Sequence, residues 1–226
     1  MTLFSPLIEQ AVALAAQWHD GTYRKSRWRA PAYAPPDGSV PPLPVMTHVT
    51  AVALIVQQAG WDEAVVAAAF LHDVLEDPNR YKQTFRPEEL RRQMGEAVAG
   101  LVEAVSEQKV DAEGNKRSWR DRKEGYIARL RDSTPEAVAI SLADKLHNLW
   151  SMNETLLSGI DVFTDGPHRK AFSAGPEAQR WFFKAVLAAS RVHSDPRLEP
   201  MRARLTEEID RFCTLIGLPQ EESDEG

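Results

Sequence analysis

AVVAAAFLHDVLED, residues Ala64–Asp77, is the stretch on which the reading of this chain turns. Among its first twelve residues only His72 and Asp73 are polar, and Glu76 and Asp77 follow at once. Read as one helix at about 100° per residue, it places 72, 76, 73 and 77 at about 0°, 40°, 100° and 140°. Four ionisable groups then share one face of a helix that is otherwise Ala, Val, Leu and Phe. A helix that is apolar nearly all round is buried. A buried charge costs several kcal/mol unless it is paired or bound to a metal. The pattern calls for a cation, and a satisfied structural His–Asp pair is the competing reading until the rest of the chain is weighed.

Outward from this stretch, composition sets the class. The chain has 226 residues, 43% of them hydrophobic and 27% charged, which fits one globular domain with a sizeable core, drawn here as residues 1–218. The remaining stretch, 219–226, is acidic and expected to fray. No apolar run approaches the length of a membrane span. The first residues lack a basic segment and carry Glu9, so no signal peptide is expected. The single cysteine, Cys213, excludes an intramolecular disulfide and fits a reducing cytoplasm. A net charge of -6 argues against a nucleic-acid partner. It would also repel an anionic substrate unless a metal or local basic groups offset it.

Helix signals recur along the chain. Ser5-Pro6 opens a helix to about His19, another runs from about Thr47 to Ala59, and Gly60 ends it. Asp62 caps the central helix, which is expected to run to Asp77-Pro78. Further helices are expected from Pro87 to about 105, at 118–131, from Thr134-Pro135 to about Leu157, at 176–193 and at 198–216. Residues 26–45 are Pro-rich, carry neither a helical nor a strand period, and read as a surface loop inserted between helices. No segment shows strand alternation. The fold class is all-α.

A second polar stripe lies on the helix after Thr134, in SLADKLHNLWS, residues 141–151. Asn148, Ser141 and Ser151 fall within about 60° of Asp144 on the helical wheel, against a background of Leu, Ala and Trp. Two buried helices thus each turn acids inward, and a shared divalent ion resolves their repulsion. His72 lies on the central helix, while His48 opens the one before it. A His at a helix start also reads as a cap or a surface residue, and His147, three residues on from Asp144, reads equally as a ligand or as a support to the site or surface. Two His and two Asp make a mixed N/O set that suits Mn²⁺, Fe²⁺ or Zn²⁺ better than Mg²⁺ or Ca²⁺.

The series His48, His72-Asp73 and Asp144 resembles the H…HD…D pattern of HD-domain phosphohydrolases. More finely, FLHDVLED resembles the LLHDxxED of the RelA/SpoT hydrolase domain and of the small alarmone hydrolases. SLADKLHNL is similar to that family's KLADxxxNL, and AAQWHDGTYRK to its AxxxHxGQxRK. The resemblance runs from about Leu7 to Ser190 and implies an HD-domain helical bundle of about eight helices with the Pro-rich loop as an insertion. It implies one metal ion, manganese, on His48, His72, Asp73 and Asp144, with Glu76 and Asp77 positioning or deprotonating a metal-activated water. It also implies phosphate contacts from Arg24 and Lys25 and a nucleotide contact from Asn148. Lys109, Lys116 and Arg120 are weaker phosphate candidates, for which a solvated face is the better reading.

The activity implied is (p)ppGpp 3′-pyrophosphohydrolysis by a stand-alone hydrolase with a small-molecule nucleotide substrate. Another phosphorylated nucleotide (ppApp, or the 2′-phosphate of NADPH) and a non-catalytic nucleotide sensor are the alternatives, the intact Glu76-Asp77 pair speaking against the last. The chain departs from the family where 22 residues separate Lys25 from His48, and where PVMTHVT lacks the family's aromatic before and Pro after the first ligand. The composition leaves the oligomeric state open.

Overall fold

The computed structural model describes residues 3–24, 43–166 and 170–219. Among them are eight α-helices, one short 3₁₀ helix and two isolated β-bridges, as expected for an all-α bundle. The helices are α1 (Pro6–Trp18), α2 (Met46–Gln58), α3 (Glu63–Leu71) and α4 (Pro87–Val105). They continue as α5 (Trp119–Asp132), α6 (Pro135–Leu157), α7 (Pro176–Ser190) and α8 (Glu199–Ile216). No described helix is long and apolar enough to cross a membrane.

The starts are set by local chemistry. Ser5, Asp62, Ser118 and Thr134 each accept a hydrogen bond from an otherwise orphaned N–H of the first turn. Pro begins α1, α4, α6 and α7, where its missing N–H removes no helical bond. α2 gives way to Gly60 at φ +84°, a left-handed conformation that a side chain would strain.

α3 is the centre of the molecule. Seven of its nine residues, Val65 to Leu71, are buried, and it packs against α1, α2, α4 and α6. The 23-residue α6 is the second spine, touching α2, α4, α5, α7 and α8 as well. Two of the metal-binding candidates, His72 at the end of α3 and Asp144 within α6, therefore arrive on the two most enclosed helices, while His48 comes from α2.

α3 ends earlier than its sequence predicts. It stops at Leu71, and residues 72–76 continue as tight turns rather than as helix to Asp77. Val74 N–H donates to Leu71 O at 3.0 Å and Glu76 N–H to Asp73 O at 3.1 Å, three-residue bonds in place of four-residue ones. Asp77 N–H still reaches Asp73 O at 2.9 Å, and Pro78, which has no N–H and disfavours helical geometry at Asp77, keeps the helix from resuming there. The helical-wheel placement of 72, 73, 76 and 77 on one face is thereby replaced by a tighter turn. α7 likewise stops at Ser190, short of 193.

The Pro-rich insertion leaves and returns at one point. Arg24 N–H donates to Leu43 O at 2.8 Å and Val45 N–H to Thr22 O at 3.1 Å, closing an antiparallel bridge between Tyr23 and Pro44. Lys25, residues 26–42 of the loop, His168 and residues 220–226 of the acidic tail lie outside the described residues.

Candidate metal centre

His48 enters from the first turn of α2, His72 from the C-terminal cap of α3, and Asp144 from the middle of α6. All three are buried, and one donor atom from each lies within 4.8 Å of the others. His48 Nε2 is 3.0 Å from Asp144 Oδ1 and 3.3 Å from His72 Nε2. Asp73 stands at the rim of the group, 3.3 Å from His72 Nε2 and 3.7 Å from His48 Nε2.

The far side of each imidazole is tied down. His72 Nδ1 donates to the Ala69 carbonyl at 2.8 Å, so Nε2 of the neutral ring keeps its lone pair facing inward. His48 Nδ1 lies 2.7 Å from Nδ1 of His147, one turn from Asp144 on α6. His147 thus supports His48 from behind, the arrangement that commonly orients a metal-binding imidazole. Two inward Nε2 atoms and two carboxylates crowd one buried point. The donors present fit a divalent cation, whose charge would offset that repulsion.

Burial lowers the basicity of both rings. For His48 it prevails, aided by the Arg24 charge, and the ring is lowered to about 4. For His72 the Asp73 charge and the bond to Asp144 outweigh burial and raise the ring to about 9. Burial would raise Asp144, but Lys145 and the two imidazoles hold it well below the usual carboxylate range.

Around this cluster runs a relay of polar contacts. Arg24 donates to Asn148 Oδ1 at 2.6 Å, and Asn148 in turn donates to Asp144. Lys145 pairs with the other oxygen of Asp144. Glu76 Oε1 accepts from the Glu107 N–H at 2.8 Å, and burial and the Asp73 charge push its carboxyl up to about 7. Asp77 is more exposed, with Lys109 Nζ 3.5 Å away.

A cavity of about 340 Å³ opens from the cluster, lined near it by Asp73, Asp77, Arg24, Lys145 and Asn148. Its walls continue through Ser151 and Thr155 to Trp119, Lys123, Gln179 and Phe182. Glu76 is absent from this lining and approaches the cluster from the side of Glu107. Lys109 is engaged with Glu76 and Asp77, and Arg120 pairs with Glu124 at 2.6 Å, while Lys116 is exposed; none of the three lines the cavity.

Sequence reasoning passed over Lys123, Lys145 and Gln179, because a lysine or glutamine on a helix reads as solvated. It also gave no role to His19, quoted only within a motif. His19 is 2% exposed, and neither ring nitrogen has a hydrogen-bond partner among the described residues. Burial depresses its basicity against the opposing pull of Asp73 and Asp77.

Comparison with known proteins places this arrangement. An HD-domain family model matches residues 28–159. A protein of Streptomyces coelicolor named GTP pyrophosphokinase is 32% identical over 145 residues, 64% of this chain and 14% of that protein. A Haemophilus influenzae protein named guanosine-3′,5′-bis(diphosphate) 3′-pyrophosphohydrolase is 36% identical over 112 residues, 47% of this chain and 15% of that one. The chain therefore spans about one seventh of the length of these relatives. Among solved structures, a metazoan ortholog of SpoT described as hydrolysing ppGpp aligns with TM-score 0.62 and 25% identity, over 97% of this chain and 100% of that one. A Listeria monocytogenes structure aligns with TM-score 0.60 and 29% identity, over 75% of this chain and 97% of its own. Because the family's model spans more than half of the chain, this protein belongs to the HD-domain family.

Proposed function

We propose that the chain is a metal-dependent phosphohydrolase acting on a nucleotide 3′-pyrophosphate, (p)ppGpp first, with residues 1–218 as one catalytic domain. The observation that carries this reading is the buried convergence of His48, His72 and Asp144, with Asp73 at its rim, at the head of a cavity that also meets Arg24, Lys145 and Asn148. The Haemophilus influenzae relative named a 3′-pyrophosphohydrolase and the ppGpp hydrolysis described for the SpoT ortholog support the substrate class.

His48, His72, Asp73 and Asp144 would hold the cation; the mixed N/O donor set suits Mn²⁺, Fe²⁺ or Zn²⁺, and manganese is the ion that the family resemblance implies. When bound, such an ion polarises a phosphoryl oxygen and makes water more acidic. Arg24, steadied by Asn148, and Lys145 face the phosphate oxygens and neutralise their charge. Glu76 takes one proton from the attacking water, and Asp77 orients that water from the cavity wall. The water oxygen bonds to phosphorus as the P–O bond to the ribose 3′ oxygen breaks, that oxygen leaves as the alcohol by taking up the proton removed from the water, and pyrophosphate departs. Buried Cys213 without a cysteine partner fits a cytoplasmic enzyme.

Four variants test the division of roles. Asp73→Asn and Asp144→Asn should lose metal, since an amide oxygen is a neutral, poorer ligand. Glu76→Gln and Asp77→Asn should keep metal and nucleotide while kcat falls about 10²–10⁴-fold. Bound metal and turnover are measured on the same preparations with ppGpp, ppApp and NADPH. Equal metal loss in all four would make 76 and 77 ligands. Metal and nucleotide binding without hydrolysis of any substrate in the wild type would leave a sensor instead.

A further inference from the structure

Glu76 depends on contacts from outside its own segment. α3 has ended at Leu71, and the turn that carries Glu76 is closed by three-residue bonds at Val74 and Glu76. A carboxylate on so short a turn swings unless something grips it. The grip comes from the segment after α4, where residues 106–109 are neither helix nor bridge. From that segment the Glu107 N–H donates to Glu76 Oε1 at 2.8 Å, and Lys109 Nζ donates to the Glu76 carbonyl at 2.6 Å. A hydrogen bond to a carboxylate is charge-assisted and adds direction to distance. With Oε1 taken, Oε2, 3.9 Å from Lys109 Nζ, is the oxygen left to receive a proton.

The gripping segment is itself tied to α5. The Glu107 carboxylate accepts from Arg122 through Oε1 and from Lys123 through Oε2. Its side chain is 7% exposed, and the neighbouring Ser106 carbonyl accepts from Arg129 at 3.1 Å. All three cations belong to α5. Burial would raise the Glu107 carboxyl, but Lys123 and Arg122 hold it below its ordinary value, so it stays an anion and keeps both bonds. A buried ion cluster often adds less stability than apolar packing of the same volume would. What this one adds is a fixed line from α5 to the Glu76 carboxylate. The plain alternative is a tie that only joins α4 to α5.

We propose that Glu107 is a positioning residue for the hydrolysis: clamped by Arg122 and Lys123, it holds its own backbone N–H on Glu76 and so aims the free carboxylate oxygen at the attacking water. This rests on the reaction proposed above and deepens it. Glu107 does not line the cavity, so its influence on turnover passes through Glu76. A misplacement of about 1 Å at a reacting group can cost about 10²-fold in rate, which sets the scale.

The test uses the manganese-loaded chain with ppGpp, and amide exchange followed by NMR as a readout independent of turnover. Glu107→Ala should lower kcat about 10–100-fold, with KM and manganese affinity within about twofold of wild type. The amide of residue 107 should exchange at least about tenfold faster, while the amides within α4 and α5 keep their protection. The deciding arm is the Glu76→Gln background, where no carboxylate is left to aim. There Glu107→Ala should lower kcat by less than about twofold further. Glu107→Gln, which keeps an acceptor for the clamp, should recover kcat to within about tenfold of wild type. Arg122→Met removes one arm of the clamp and lines no cavity. It should show the same dependence on Glu76 at smaller size, and it carries the test if Glu107→Ala does not fold. An equal loss in both backgrounds, or a loss shared by KM and manganese affinity, would reduce the cluster to a structural tie and overturn the proposal. A folded Glu107→Ala protein with wild-type kcat would do the same. If the wild type hydrolyses no substrate, yet the protected amide of residue 107 is freed by Glu76→Ala, the hold on Glu76 stands and the proposed reaction falls.

Discussion

Glu76 keeps about four-fifths of its side chain from solvent, and its carboxyl is pushed from 4.5 up to about 7 by burial first and by the Asp73 charge second. In the unfolded chain it ionises near its ordinary value. Between the two values the folded state holds the extra proton, so stability falls as pH rises through that window, by roughly 3 kcal/mol. Glu76→Gln cannot ionise. The metal-free variant should melt with wild type near pH 4.5 and above it beyond pH 7, as differential scanning calorimetry across pH would show. In turnover the sign reverses: a proton acceptor must be ionised, so kcat rises with pH along a limb at about 7 or below, since a bound cation favours the carboxylate. That limb should vanish in Glu76→Gln, and its persistence would assign it to another group. His19 makes the complementary case. Its two ring nitrogens, without a partner among the described residues, cost about 1–3 kcal/mol, so His19→Phe should match or exceed the wild-type stability in urea, and a clearly destabilised variant would show that the ring is satisfied in solution. At this scale the sequence was legible where polar residues interrupt apolar helices, as His72, Asp73 and Asp144 do. Lys123 and Lys145 were illegible because Glu107, which pairs with Lys123, and the Tyr126 ring beneath Lys145 lie far off in sequence.

Elements carry those residues with unequal precision. α6 delivers Asp144 to the cluster and, three residues on, His147 to the back of His48. Truncating His147 to Ala should leave the protein folded but weaken metal binding about 10–100-fold in a chelator competition, the usual scale for a group that orients a ligand; unaltered affinity would make the contact incidental. α3 was legible in its start, since the Asp62 carboxylate accepts from both Ala64 and Val65 N–H groups at 3.1 Å. Its end was not. A periodic pattern shows where side chains could face if a helix continued, but the ladder was already failing six residues before Pro78. The turn that replaced it separates Glu76, largely enclosed and bonded to Glu107, from the more open Asp77. α4 holds a comparable surprise: Gly95 sits at φ +81° and ψ 169° within an otherwise apolar-striped helix, a break that periodicity conceals.

At the scale of the whole molecule, the helical bundle was legible because its caps and apolar faces agree with one another along the chain. What periodicity cannot convey is how distant segments meet. The clip joining Thr22–Arg24 to Leu43–Val45 is such a meeting, since Pro-rich sequence on one side of it gives no period to read. Replacing residues 26–42 by a short turn should change stability by no more than about 1–2 kcal/mol, because closure entropy varies slowly with length. KM or substrate preference should shift, whereas an unfolded protein, or one kinetically identical on every substrate, would contradict a part for the insertion in substrate choice. The clip has one more consequence. Its two hydrogen bonds hold Arg24 on one side and, three residues after Val45, His48 on the other, whatever chain is strung between them. Evolution can therefore lengthen, trim or exchange that chain as a cassette, retuning what reaches the site without relearning how to build it.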